Sequence, residues 1–233
     1  DANETYLFVA CPQNGVWQYD ESTATWARPS WSGVTATDVA FVVLHKQRIW
    51  AIMQDSTSAF YSPVASIGGT FTEFTFGSKF KYGGRLLTLA NWTLDGGDGV
   101  DDYLVAVSQG GDVLAYRGSD PSSSDWSLTG SFFVGEMPAS RRCTTPYAGE
   151  LFILSTFGVT SLRDLVSGVD ASNQGKGPSA KINPVLRTAV AGAKDQFGWM
   201  ITTYPGDGFL QIVAPWDFEN LAIQYNQNLL TSA

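Results

Sequence analysis

The densest group of chemically capable side chains in this sequence is acidic: Asp95, Asp98, Asp101 and Asp102 fall within the stretch DGGDGVDD. Clustered carboxylates are the oxygen ligands that Ca²⁺ prefers. The spacing departs from the alternating pattern of a calcium loop, so the four are weak metal candidates. The plainer expectation is a tight turn in which Gly takes positive φ and Asp caps main-chain amides. His45 is the one histidine, and a Ser-His-Asp hydrolase would have to use it. No GxSxG elbow accompanies it, and it falls in the turn of a predicted hairpin, where a solvated histidine is expected. NQGKGPS lacks the first Gly and the spacing of a phosphate loop and reads as a connector. The turns YDESTATW and GSDPSSSDW invite comparison with the Asp-box hairpin of sialidases, but the Asp-to-Trp separation differs and the arginines are scattered. Trp17, Trp26, Trp31, Trp50, Trp92, Trp126, Trp199 and Trp216 could stack on sugars. At the strand ends of repeated sheets such rings more often pack, since an aromatic side chain offers roughly 150–250 Å² to bury. No catalytic residue and no cofactor is expected.

The elements that would carry these residues are short strands. The chain of 233 residues is 44% hydrophobic, 13% aromatic and only 15% charged, with 24 glycines, against about 25% charged in ordinary domains. That composition suits strands joined by tight turns. The formal charge is −8 and no basic run interleaves with the aromatics, so tight binding to DNA or RNA is disfavoured. No apolar run approaches the ~20 residues of a membrane helix and no signal peptide is recognisable. A soluble chain without a membrane segment is expected. Cys11 and Cys143 lack CxxC spacing and read as two buried thiols in a reducing compartment, with a disulfide as the alternative. The sequons at Asn3 and Asn91 read as chance matches.

Alternating apolar and polar residues predict strands at 6–10 and 16–19, with Trp26 opening a third. DVAFVVLHKQRIWAIM reads as two strands joined by a turn at 45–47, followed by AFYSP and by TFTEFTFG, whose Phe71, Phe74 and Phe76 fall on both faces. GRLLTLANWTL, YLVAVS, DVLAYRG and WSLTGSFFVG form a third group of strands, with DGGDGVDD and SDPSSSD as connecting loops. A fourth group begins at RRCTTPYAGELFILSTFGVTSL, with turns at Gly149-Glu150 and Phe157-Gly158. A helical insertion is expected over about 163–193, chiefly 180–193. In it Asn183 is the N-cap, Pro184 the first helical residue, and Val185, Leu186, Ala189 and Val190 share a face. FGWMITTYP, GFLQIVAP and NLAIQYNQNLLTSA make a fifth group.

Three stretches share one plan: a strand ending in Tyr (Tyr19, Tyr116, Tyr225), a polar turn, and a return strand. Meanders recurring every 40 to 55 residues, roughly, are the mark of a β-propeller, which closes with about 4 to 8 blades. The expectation is an all-β chain with about four complete blades and part of a fifth. Residues 1–233 then form a partial propeller-like domain of a longer protein, because the chain starts without Met and stops where earlier copies place a Trp.

NWTLDGGDGVDDYLVAVSQGGDVLAYRGSDPSSSDWSLTGSFFVG, then RRCTTPYAGELFILSTFGVTSL, FGWMITTYPGDGFLQIVAP and QYNQNLLTSA, resembles a family of structural tail proteins of short-tailed bacteriophages, from about residue 61 to the end. The resemblance implies a tail tube, nozzle or hub protein of the virion, assembled in the host bacterial cytoplasm. It implies a homo-oligomer, a ring of six around the DNA exit channel, in contact with the head-tail adaptor ring and with tail fibre or tip proteins. DNA would pass without sequence-specific binding, which an acidic chain suits, and no catalytic residue carries over. The alternative expectation is a carbohydrate-binding propeller for receptor recognition.

Overall fold

Alternating side chains become antiparallel ladders along nearly the whole chain. The computed structural model describes residues 5–95, 100–173, 177–204, 209–215 and 223–226. Strands dominate, placing the protein in the all-β class, and form six sheets among the described residues, five antiparallel and one a parallel pair. The chain divides into two compact units, Asp1–Lys79 and Phe80–Ala233.

In the first unit β1 (Tyr6–Cys11), β2 (Gly15–Asp20) and β3 (Thr25–Ala27) form a three-stranded meander. After β4 (Trp31–Ser32), a second sheet takes the order β5-β6-β7-β9, from β5 (Val39–His45), β6 (Arg48–Met53), β7 (Ser58–Tyr61) and β9 (Thr72–Thr75). Between the last two, β8 (Gly69–Thr70) runs parallel to β4. TFTEFTFG is therefore not one strand. Phe71 interrupts it and packs on Trp31 with ring centroids 4.5 Å apart, while Phe74 and Phe76 lie 6.3 and 6.4 Å from Trp50. Gly33 permits this closure, since a Cβ there would lie 2.5 Å from the Phe71 carbonyl oxygen. The β5–β6 turn has Lys46 and Gln47 both at positive φ, 43° and 61°, the backbone of a type I′ hairpin whose twist matches its strands. His45 closes β5 opposite Arg48 and is 3% exposed. It is a buried residue, not a solvated turn histidine, because the two-residue turn leaves it inside the ladder.

The second unit opens with β10 (Leu86–Asp95), β11 (Val100–Ser108), β12 (Asp112–Arg117) and β13 (Ser127–Phe133) in simple order. The described residues at either end of the loop expected over 95–102 are strand: Asp95 pairs with Val100, Leu94 with Asp101 and Thr93 with Asp102, and residues 96–99 lie outside the described residues. The Trp92↔Tyr103 ladder continues outward as far as the Asp95↔Val100 pair. Two three-stranded meanders follow, β14 (Thr144–Tyr147), β15 (Glu150–Ser155) and β16 (Gly158–Ser161), then β17 (Met200–Tyr204), β18 (Phe209–Val213) and β19 (Ile223–Asn226). Two sheets thus have four strands and three have three, where four complete blades were expected.

Helices α1 (Leu162–Val166) and α2 (Asn183–Ala193) lie between those meanders. Ile182, not Asn183, holds the N-cap position of α2. Asn183 is buried and its Oδ1 accepts a 2.6 Å hydrogen bond from the Ser179 hydroxyl. Leu186, Ala189, Val190 and Ala193 form the buried stripe, while Val185 is 53% exposed. Helical geometry requires this: positions 186, 189, 190 and 193 share a face at 3.6 residues per turn, and 185 falls beside it. The Trp199 indole donates to the Ala193 carbonyl at 2.8 Å and satisfies one of the helix's terminal acceptors.

Residues 134–143 belong to no strand, yet they tie the unit together. Val134 N–H donates to Gly111, Met137 N–H to Gln109 and Ala139 N–H to Lys194, while Glu136 and Arg142 carbonyls accept from Thr156 and Ile201. The buried Arg141 guanidinium donates to the Leu87 carbonyl at 2.8 Å. One core results, joining Leu87, Val105, Val113, Ile153, Leu186 and Ile212.

Candidate functional site

Of the four acidic candidates, Asp98 lies outside the described residues, and Asp95 and Asp101 occupy backbone positions in β10 and β11. Asp102 accepts a 2.7 Å hydrogen bond from the Thr93 hydroxyl across the ladder. Among the described residues no group of three or more His, Cys, Asp or Glu is placed to hold a metal. The cysteines differ from expectation: Cys143 is buried, but Cys11 is exposed, and both are free thiols. Cys11 sits on the outward face of β1, in step with exposed Leu7 and Val9. Burial pushes the Cys143 thiol up to about 12.

The shared plan read from the sequence has a physical basis. Tyr19 meets Trp26 directly across the β2–β3 ladder, ring centroids 5.2 Å apart, and Tyr116 stacks on Trp126 at 5.3 Å and 16°. Each pair clamps the base of a polar connection. Within the connections, Asp20 accepts from the Ser22 amide and hydroxyl, and Asp120 from those of Ser122. Asp170 repeats the turn with the Ser172 amide. These are Asx turns, in which a carboxylate replaces a main-chain acceptor. Hydrogen bonding from Ser22 and Ser172 holds the Asp20 and Asp170 carboxyls below their ordinary range. Hydrogen bonds from Ser123 and Ser119 do the same for Asp125. Tyr225 pairs with Leu210 in β19, and the turn that would follow it lies outside the described residues.

The tryptophans serve mostly as packing. Trp50, Trp92 and Trp199 are buried. Trp17 lies under the Arg28 guanidinium, 4.1 Å from the ring centre, and Arg28 is itself anchored to Val16 O and Asn14 Oδ1. Trp31 donates to the Ile67 carbonyl at 2.8 Å. Trp26 is 51% exposed, and Trp216 lies outside the described residues.

One buried carboxylate was not singled out by sequence reasoning. Asp112, 1% exposed, accepts from the main-chain amides of Lys81 and Tyr82 at 3.0 and 2.9 Å and from the Ser108 hydroxyl at 3.2 Å. Its own amide donates to Ser108 Oγ. The side chain thus fastens the segment before β10 to the β11–β12 turn. Two of its partners, the Lys81 and Tyr82 amides, lie some 30 residues upstream, so no local pattern marks the fastening.

Two hollows remain. In the first unit a groove of about 500 Å³ runs along β1 and β5, lined by Tyr6, Phe8, Val42, Leu44, Ile49 and Ile67. Leu44 is 63% exposed, nearby Val64 56% and Ile67 42%. In the second unit a hollow of about 340 Å³ lies on one face of the β10–β13 sheet, between Trp92 and Tyr103 on one side and Phe132 on the other, over Ala115 and Gly130. The hollow exists because Ala115 and Gly130, paired across β12 and β13, are too small to fill it. No family model matches the chain, and no curated protein matches its sequence.

Proposed function

We propose that the protein is a structural component of a short phage tail, a propeller-containing subunit of the oligomeric nozzle or hub through which DNA is retained and ejected. The observation that carries an assembly role is the apolar groove along β1 and β5, with Leu44, Val64 and Ile67 exposed beside it. Contiguous exposed apolar surface of this kind marks contact sites for other chains. The propeller reading is supported by the order of the sheets. Each of the five antiparallel sheets follows chain order from its first strand, and first strands are neighbours within each unit: β1 beside β5, β10 beside β14, β14 beside β17. Blades around an axis pack in this way. The virion role itself rests on the sequence resemblance and on the acidic charge, which disfavours gripping phosphates.

In this reading the residues do mechanical work. The Tyr–Trp clamps and Asx turns hold hairpin connections in fixed shapes, and the groove takes an apolar neighbour. No helix of the described residues is long and apolar enough to cross a membrane. The test is electron cryo-microscopy of the protein alone and of the virion. Rings with a central channel, coincident with density beneath the portal, are expected. Discrete monomers with no place on the tail axis refute the proposal, and selective binding on a glycan array, abolished by Trp26→Ala, would replace it with receptor recognition.

A further inference from the structure

We infer that the outward face of the β1–β2–β3 sheet is a docking site for a short proline-rich segment of another protein, extended as polyproline II and flanked by a basic residue. Cross-strand register builds the face. Leu7, Tyr19 and Trp26 stand side by side across the three strands, and Val9 lies beside Trp17, which Arg28 covers. Leu7 is 54% exposed, Val9 43% and Trp26 51%. The opposite face of the same sheet, with Phe8, Ala10 and Val16, packs into the core of the unit. Contiguous exposed apolar surface marks a contact site. The hairpin clamp does not itself require this exposure, since the Tyr116–Trp126 pair performs the same task with Tyr116 4% exposed.

Size and chemistry select the occupant. Three strands of at most six residues present a face of roughly 300 Å², far below the ~800 Å² per partner of a stable protein dimer. A short segment suits it. Crossing from β1 to β3 takes about 10 Å, close to one polyproline II turn of about 9 Å. The Tyr19 and Trp26 rings are tilted 45° to one another, and their hydroxyl and indole N–H bond no described residue. A polyproline II segment has no internal hydrogen bonds, so its carbonyls are available to both donors, whereas a helix has used its own. Proline also brings no N–H to be stranded on an apolar face. Aromatic surfaces recognise proline-rich segments in this way. Asp20 and Glu21 follow Tyr19 in the turn and supply negative charge for a basic flank.

The experiment titrates the full chain with decaproline ending in two lysines, with a Gly/Ser peptide of the same length and ending, and with decaproline ending in two glutamates. The lysine-tagged decaproline should bind roughly tenfold more tightly than the Gly/Ser peptide. It should also move the Trp26 indole N–H resonance, identified by its loss in Trp26→Phe. The glutamate-tagged decaproline should bind roughly two- to fivefold more weakly, the worth of an exposed ion pair. Trp26→Phe keeps a ring and loses the donor, and should weaken binding roughly five- to tenfold, the worth of one net hydrogen bond. Leu7→Lys, at an exposed position of the same row, should weaken binding of the lysine-tagged decaproline with the thermal midpoint retained. Absence of decaproline binding overturns the inference, as does equal binding of the Gly/Ser peptide, an unmoved Trp26 resonance at saturation, or no preference for the lysine ending. Tighter binding of cellohexaose at the same resonance also overturns it and makes the face a saccharide platform.

Discussion

Asp112→Ala should release the segment before β10. The carboxylate accepts three hydrogen bonds while 1% exposed. Bonds to a charged acceptor are worth about 1.5–3 kcal/mol each, which would suggest a large loss. Lys81 and Tyr82 are exposed residues, however, so their freed amides can turn to water and recover much of that. Ser108 is fully buried and cannot. We therefore expect a net cost of about 3 kcal/mol. Asp112→Asn should cost about 1–2 kcal/mol, because its amide oxygen can serve one main-chain donor while its NH₂ confronts the other. Global unfolding of a chain with two units is not guaranteed to be two-state, so amide hydrogen exchange is the better assay. The Lys81 and Tyr82 amides should lose protection in Asp112→Ala, while amides of the first unit do not change. Stability within about 0.5 kcal/mol of the parent, or unaltered protection at those two amides, would refute the fastening role.

Three further outcomes follow from the geometry. Gln47→Gly should stabilise the first unit by about 0.5–1 kcal/mol, since a non-glycine residue at φ 61° carries left-handed strain that exceeds glycine's entropic cost; the thermal midpoint checks it. Trp126→Ala should cost about 2–3 kcal/mol and Trp26→Ala about 1, because Trp126 is the better buried and more nearly parallel ring; urea melts of the two variants decide the order. Iodoacetamide should label Cys11 in the native protein and spare Cys143 until unfolding. The folded Cys143 thiol titrates at about 12 against an ordinary value near 9.0. The stability from keeping it neutral is therefore complete below pH ~9 and is lost as pH rises towards ~12.

Much of the fold was legible where a local period carries the signal. The strands of LFVA, VAFVVLH and LVAVS show as short apolar runs bounded by turn residues, and the two-residue period of a strand places Cys11 with Leu7 and Val9, although a general preference of cysteine for interiors hid it. The β4–β8 pair was not legible, because its partners are separated by some 38 residues and each is two residues long. At the ends of the acidic segment Asp content speaks for a loop, yet the ladder that holds Trp92 and Tyr103 carries Asp95, Asp101 and Asp102 into strand. Asn183 looked like an N-cap by residue type, but its side chain bonds Ser179 inside the core. Asp112 and the aromatic hollow depend on cross-strand register, which no single segment encodes.

The connector of residues 134–143 has a consequence for how the second unit fails. Sheets bonded only to themselves would peel away one at a time under heat or tension. Here a single run of chain is bonded to the β11–β12 and β15–β16 turns, to the end of α2 and to β17, so a load on any one of them is shared as shear by the others. The unit should therefore resist until the seam itself gives, then come apart in one event, and a protease cut within the seam should convert that single event into several.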